Sequence, residues 1–427
     1  MFRNIRHFWR LIYIGSVCLI HRSNLAKAFE LLGPAFIKLG QFLSTRPDLI
    51  GQEFANNLCY LRDKLPSFPF REVRKIVKSE FGKEIEELYS EFYEIPIAAA
   101  SIAQVHKATT LDGKEVAVKV RRPNIDKVLK KEIAFFYFVA KIVEGLFSKY
   151  KRLKLKEVVK TIERSFNFEL DLSFEAAAAD ELAQKNKLDF VYIPKVDWLR
   201  TSHKIFTMEW IDAVSIYEKD KLIEANIDLS ILATNFVVMF FSQAFVDGFF
   251  HADLHQGNIM VNKSGQIILL DFGIMGRLDY NNRAYIAQIL HGFLKKDYDS
   301  ISKIHLKAGY VSKKIDPQVF AQACRAVGEP IMNLSPEQIS IAKLLSHLFK
   351  ITEDFQMETQ PQLLLLQKTM IMVEGIGKVL CNDKNLWILA EPWINQWAQE
   401  NLSKEAKIAK LIRKMVDQII EKIKEEL

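Results

Sequence analysis

His251, Asp253, Asn258 and Asp271 fall within one short stretch, His251-Ala252-Asp253 through Asp271-Phe272-Gly273, and their types and spacing suit transfer or splitting of a phosphate on magnesium. Asn258 follows Asp253 by five positions (258 − 253) and Asp271 follows it by eighteen (271 − 253). A first aspartate can handle a nucleophile while an amide oxygen and a second carboxylate hold a hard divalent cation, which prefers oxygen ligands. Asp253 is therefore the candidate catalytic residue, and Asn258 and Asp271 are the candidate Mg2+ ligands. Asp and Asn in loops ordinarily serve as turn residues or helix caps. Here an apolar strand, Ile267-Ile268-Leu269-Leu270, runs directly into Asp271, and a helix-like segment precedes His251, which favours a site.

That spacing resembles the H-R-D-x-x-x-x-N and D-F-G pairing of protein kinases, which implies a nucleotide-binding lobe upstream. One is present in altered form. Ile97-Ala98-Ala99-Ala100-Ser101-Ile102-Ala103-Gln104-Val105 aligns with the kinase loop G-x-G-x-x-G-x-V, with alanine at every glycine position. Lys119 follows Val105 by fourteen residues (119 − 105) in Val116-Ala117-Val118-Lys119, the strand context of the lysine that grips the α- and β-phosphates of ATP. Between them, Asp112-Gly113 reads as a two-residue hairpin turn. Alanine limits positive φ and keeps the backbone farther from the phosphates, so this loop is expected to be stiffer than a glycine loop. His255 stands where protein kinases place a lysine, two residues after the catalytic aspartate. A cation there would stabilise developing phosphate charge, and imidazole changes charge near neutral pH. The competing reading is a structural histidine bonded to a backbone carbonyl.

Lys119 needs a carboxylate on a helix. The segment Thr161 to Gln184 is helical in pattern and carries Glu169-Leu170-Asp171 and then Glu175. On one continuous helix Asp171 and Glu175, four apart, share a face and Glu169 does not. Glu175 is assigned to Lys119. The 56 residues separating them (175 − 119) exceed one loop and helix, which predicts an inserted helix over roughly Asp126 to Lys149.

With these residues in place the chain resembles the UbiB family of atypical kinase-like proteins, linked to ubiquinone biosynthesis. Three further segments carry the likeness. They are Lys38-Leu39-Gly40-Gln41 followed by Ser44-Thr45-Arg46-Pro47-Asp48, then Glu169-Leu170-Asp171, and finally Gly248-Phe249-Phe250-His251-Ala252-Asp253 with Met208-Glu209-Trp210 as a lobe hinge. Lys38 and Gln41 lie at i and i+3 on one helix face. The resemblance implies that this helix covers the cleft where a protein kinase takes its peptide, with Lys38 near Glu169. Lys38, Gln41, Glu169 and Asp171 are thereby expected to be regulatory. It also implies ATP and Mg2+ as cofactors, and a membrane lipid or isoprenoid quinone precursor and enzymes of ubiquinone biosynthesis as partners.

Composition agrees with a large folded body. The chain has 427 residues, 49% of them hydrophobic, enough for several domains. Its four cysteines, Cys18, Cys59, Cys324 and Cys381, form no C-x-x-C pair, which argues for a reducing compartment without zinc or disulfides. The net charge of +7 is modest, and no nucleic-acid partner is expected. Arg3, Arg6 and Arg10 alternate with Phe2, Phe8, Trp9, Leu11 and Ile12, a basic amphipathic pattern suited to an anionic membrane surface. Leu11 to Ile20 is too short to span a bilayer, and Ala26-Lys27-Ala28 is not taken as a signal cleavage site. No other stretch is read as a transmembrane helix, and Leu363 to Val373, interrupted by Gln367 and Lys368, is read as a buried helix. Relatives resembling this chain often end in a hydrophobic helical hairpin. Here Lys404 to Leu427 carries instead one apolar stripe with lysines crowding its first half, suited to docking on the protein itself or in a homodimer. The expected location is peripheral, on the cytoplasmic face of the bacterial inner membrane or its mitochondrial equivalent.

The expected fold is α+β, an atypical protein-kinase-like two-lobe architecture with an N-terminal helical extension and a helix-rich large lobe. Residues 1–90 form the extension, 91–211 the small lobe, 212–350 the large lobe and 351–427 a C-terminal helical extension. Short strands are expected near Phe190 to Leu199 and Lys204 to Trp210. Three functions compete: an Mg-dependent ATPase or atypical kinase supporting ubiquinone biosynthesis, a small-molecule kinase, and a nucleotide-gated scaffold without catalysis. After Asp271-Phe272-Gly273 no A-P-E follows within the expected distance, which argues against a peptide platform.

Overall fold

The computed structural model describes residues 25–44, 65–146, 155–255, 257–312, 314–332, 361–381 and 386–402, with a few isolated positions besides. The basic N-terminal stretch, Thr45 to Asp48, Cys18, Cys59 and the Lys404–Leu427 stripe lie outside them. The chain divides into two compact units, one of Met1–Lys185, Tyr192–Asp212 and Ile268–Gly273, the other of Asn186–Val191, Ala213–Ile267 and Ile274–Leu427.

The first unit begins with helices α1 (Leu25–Leu32), α2 (Pro34–Ser44) and α3 (Phe70–Phe81) and continues into strands β1 (Tyr89–Phe92), β2 (Ala98–Ala99), β3 (Ala103–Thr110) and β4 (Glu115–Arg121). Helices α4 (Ile125–Leu146), α5 (Leu155–Leu170) and α6 (Leu172–Lys185) follow, then β5 (Ile205–Glu209). The strands pair antiparallel in the order β1-β3-β4-β5, with β2 folded onto β3. Strand alternation explains the core. Val116, Val118 and Val120 all point to one face of β4 and meet Val73, Ile76 and Val77, the i, i+3, i+4 stripe of α3. Lys119, out of phase with those valines, points to the other face. The β3–β4 connection is longer than the two-residue turn expected: Thr110 and Lys114 close a three-residue loop, with Thr110 N–H donating to Lys114 O at 2.9 Å.

Helices α4 and α5 account for the insertion before Glu175. Leu129, Ile133 and Phe136 of α4 pack with Ile162 and Phe166 of α5, and α2 joins them through Ala35 and Phe36. The Phe36 and Phe136 rings meet edge-on at 5.3 Å. The continuous helix expected from Thr161 to Gln184 is broken at Asp171, so Asp171 and Glu175 do not share one helical face. Asp171 is instead the cap of α6. Its Oδ1 accepts from the Ser173 N–H at 3.0 Å and from the Ser173 hydroxyl at 2.6 Å. The strand expected over Phe190 to Leu199 reduces to Val191–Tyr192 and a short 3-10 turn, Trp198–Arg200.

The second unit contains β6 (Ala213–Ser215), α7 (Leu229–Phe241), β7 (Phe249–His251), β8 (Ile259–Asn262), the start of β9 (Ile267–Leu269) and β10 (Met275–Arg277). Helices α8 (Tyr280–Leu294), α9 (Tyr298–Ala308), α10 (Pro317–Met332), α11 (Pro361–Leu380) and α12 (Leu386–Leu402) complete it. Helix α7 is capped by Asp228 and packs against α11 and α12, burying Phe236, Val237, Phe240 and Phe241. The Trp393 ring of α12 lies 5.4 Å from Phe241. Contrary to the sequence reading, one stretch among the described residues, Leu229–Asp247, is long and apolar enough to cross a membrane. Its burial among α11 and α12 is the packing of a core helix, which is apolar all round for the same reason as a membrane span. Cys324 and Cys381 are buried.

Candidate active site

In the first unit, Lys119 sits mid-strand between Val105 of β3 and Phe206 of β5, so its backbone is held on both sides. Its Nζ donates to Glu175 Oε1 at 2.7 Å and to Asp271 Oδ2 at 3.1 Å. Glu175 lies in the first turn of α6, aimed by the Asp171 cap and by the Leu172 N–H, which donates to His203 O at 3.1 Å. Burial pushes the Glu175 carboxyl up to about 7, against the pull of Lys119. Burial would also raise Asp271, but the ammonium groups of Lys119 and Lys38 outweigh it and hold that carboxyl below its ordinary range. The same two carboxylates raise Lys119 despite its burial. The triad is thus a fixed cation between two carboxyl groups, of which Asp271 is the more firmly ionised.

Asp271 has two unusual properties. Its φ is +56°, in the left-handed region that few non-glycine residues adopt, and its Oδ1 accepts from Gly273 N at 3.3 Å. About half of its side chain, 47%, remains accessible, so a carboxylate buttressed by Lys119 still faces open space. Backbone strain of this kind costs on the order of 1–3 kcal/mol and concentrates at functional sites.

Lys38 and Glu169 meet at 2.8 Å, both largely buried. Gly40 lets helix α2 sit close to Phe29 of α1 and to Leu61, both of which a Cβ there would strike. Gln41 is brought to the same region, its Oε1 buried with no hydrogen-bond partner among the described residues. Asp171 acts locally as a cap.

The alanine-rich loop is a tight hairpin. Ile97 N–H donates to Val105 O at 2.9 Å and Ala100 N–H to Ala103 O at 2.8 Å. No residue from 97 to 105 has positive φ, as alanine requires. Arg122 buttresses the tip, donating from Nε to Ala100 O at 2.9 Å. Ser101, Ile102, Ala103 and Gln104 are buried, whereas Ile97 and Ala98 are exposed. The Gln104 side chain faces inward, accepting from Phe68 N–H at 2.9 Å and donating to Phe68 O at 3.2 Å. It is thus committed to the fold.

In the second unit, His251 ends β7, which pairs antiparallel with β10. Its Nδ1 accepts from Asp253 N–H at 3.2 Å. Asn258 donates from Nδ2 to Asp253 O at 2.9 Å, which turns its amide oxygen outward as an acceptor suited to a cation. The Asp253 carboxylate is flanked on both sides. His255 Nε2 is 3.7 Å from Oδ2 and Lys368 Nζ, from α11, is 3.6 Å from Oδ1. His255 Nδ1 accepts from Gly257 N–H at 3.0 Å, so in the neutral ring the proton sits on Nε2, toward Asp253. Lys368 was missed as a site residue in the sequence. Its signal was the one cation, beside Gln367, in the apolar run Leu363 to Val373.

One Asp and one Asn supply two hard oxygen donors, a set that fits Mg2+, which keeps waters and phosphate oxygens for its remaining positions. Asp271 in the first unit and Asn258 in the second each carry an oxygen of this kind.

Comparison with known proteins follows the same lines. Residues 60–305 match the ABC1 atypical kinase-like domain and residues 324–385 the UbiB helical domain. The chain is 39% identical to a probable protein kinase UbiB of Marinobacter nauticus, over 91% of this chain and 72% of that one. It is 38% identical to the corresponding protein of Pseudomonas aeruginosa, over 92% and 75%. Among solved structures, a Mycobacterium tuberculosis protein determined in complex with erythromycin is similar in fold, with a TM-score of 0.56 and 22% identity, over 88% of this chain and 96% of that one.

Proposed function

The chain belongs to the UbiB family of ABC1 atypical kinase-like proteins, and from that premise we propose that it binds ATP with Mg2+ and splits or transfers the terminal phosphate in support of ubiquinone biosynthesis at a membrane surface. The observation that carries this reading is the Lys119 ammonium seated between Glu175 at 2.7 Å and Asp271 at 3.1 Å. Glu175 fixes where Lys119 points, so the ammonium is placed to meet phosphate oxygens without reorganising. The Asp271 carboxylate and the Asn258 amide oxygen are each of the type that would take Mg2+, which when bound would neutralise phosphate charge. Asp253 orients the nucleophile, with His251 and Asn258 fixing its backbone. The loop from Ile97 to Val105 lies over the nucleotide, held less closely than a glycine loop would be.

The acceptor is water or a small molecule. The reading is supported by the segment after Gly273, which forms strand β10 and runs into α8 with no A-P-E. An isoprenoid quinone precursor suits the membrane-surface location, and the basic amphipathic N-terminus suits peripheral attachment, released by high salt or alkaline carbonate. The deciding experiment is nucleotide binding and phosphate release by wild type, Lys119→Ala and Asp271→Asn. Each variant is expected to lose affinity or turnover by roughly 100-fold, the scale of one preorganised charge contact. Wild-type behaviour in both would sink the assignment. Lipid analysis of cells lacking the protein is expected to show less ubiquinone and an accumulated prenylated precursor.

A further inference from the structure

Resting on the phosphate-chemistry reading above, we propose that Lys368 is a positioning residue for Asp253, so that helix α11 belongs to the reacting site and does not merely support it. The loop 251–258 contains no lysine or arginine of its own. The permanent positive charge at Asp253 instead arrives from a residue 115 positions later (368 − 253), at 3.6 Å from Oδ1. His255 faces the other oxygen at 3.7 Å, so the carboxylate is gripped from two directions by groups on different elements.

The setting of Lys368 argues against an incidental surface pair. Its side chain is only 17% accessible, and Leu364, four residues earlier on the same face of the helix, is buried. A charged head drawn into such surroundings is costly unless it is partnered, and exposed pairs, by contrast, contribute little. The stem runs along apolar surface while the ammonium reaches the one carboxylate that the catalytic loop presents. Lys368 lies in the part of the chain that matches the UbiB helical domain and Asp253 in the part that matches the kinase-like domain. The contact therefore gives the helical domain a chemical role: seating of α11 sets the rotamer of Asp253, and displacement of α11 releases it.

The test compares full-length wild type, Lys368→Met and Lys368→Arg for Mg-ATP affinity, ATP turnover and amide hydrogen exchange across residues 252–258. In Lys368→Met, turnover is expected to fall roughly 100-fold while affinity stays within about twofold, the mark of lost orientation without lost binding. Exchange across the loop is expected to quicken roughly tenfold, and Lys368→Arg to restore part of both. If Lys368→Met fails to fold by circular dichroism, Lys368→Gln carries the same readouts. Unchanged turnover and exchange, or a turnover loss matched by an equal loss of affinity, would overturn the proposal. A wild type that binds Mg-ATP without turning it over would refute the phosphate-transfer reading alone. The exchange comparison then decides the Lys368–Asp253 tie by itself.

Discussion

Lys38 Nζ stands 2.8 Å from Glu169 Oε2, and its charge also reaches Asp271, where, against the effect of burial, it helps Lys119 hold the carboxyl low. A residue on an N-terminal helix is thus electrically connected to the candidate metal ligand. Removing it changes two anions at once.

Lys38→Met leaves Glu169 buried without its cation and is expected to destabilise the fold by roughly 3 kcal/mol, the scale for breaking one side of a buried pair. Urea unfolding measures this. The Lys38→Met, Glu169→Gln double variant is expected to lose less than the sum of the singles, because the second change removes the stranded charge. Strict additivity would mean that the pair is not coupled.

Glu175 has a distinctive pH signature. Its carboxyl is raised from 4.5 to about 7, so the folded chain holds a proton there that the unfolded chain has released. The stability it contributes is fully present below 4.5 and is lost as pH rises through about 7. Glu175→Gln removes this term. The difference in unfolding free energy between wild type and Glu175→Gln is therefore expected to slope between these two pH values and to flatten above them. Asp271, depressed, acts oppositely and only at lower pH, so it does not obscure the window.

Gly248 is the tightest backbone position at the site. Its φ is +66°, and a Cβ there would lie 2.5 Å from the Leu278 carbonyl oxygen. Gly248→Ala is expected to cost about 3 kcal/mol through strain and displacement of backbone. Because β7 follows immediately, turnover should fall with it. A thermal midpoint equal to wild type would contradict the placement.

The two nitrogens of His255 do different jobs, and two amides separate them. Asn at 255 can replace Nδ1 as acceptor for Gly257 N–H, and Gln can replace Nε2 toward Asp253. If the contact to Asp253 matters, His255→Gln is expected to keep several-fold more turnover than His255→Asn, in line with the modest worth of one hydrogen bond, about 1 kcal/mol. The reverse order would make the histidine a loop-shaping residue.

What the sequence made legible depended on distance along the chain. Lys119 could be placed because β-branched alternation marks β4 and puts the lysine on the face opposite its valines. Asp253, Asn258 and Asp271 could be placed because a loop fixes short spacings. The break at Asp171 was not legible from periodicity: Glu169 to Gln184 scans as helix, and only the capping bonds to Ser173 show that the chain stops and restarts. The membrane-span reading of Leu229–Asp247 was missed because Thr234-Asn235 and Ser242-Gln243 interrupt the apolar run. Lys368 was invisible for a different reason. Its partner is set by tertiary packing of α11, and no local pattern encodes a contact over that separation.

The π turn Ser242–Asp247 between α7 and Gly248 also constrains chain length. A π turn amounts to one residue beyond the α-helical repeat, and deleting a residue there would restore the ordinary pitch. The rotation per residue of an α-helix is roughly 100°, so such a deletion would swing everything after it by more than a quarter turn and carry His251 and Asp253 off their bearings. Loops elsewhere in the chain can lengthen or shorten at little cost. Between residues 242 and 248, insertion and deletion are closed.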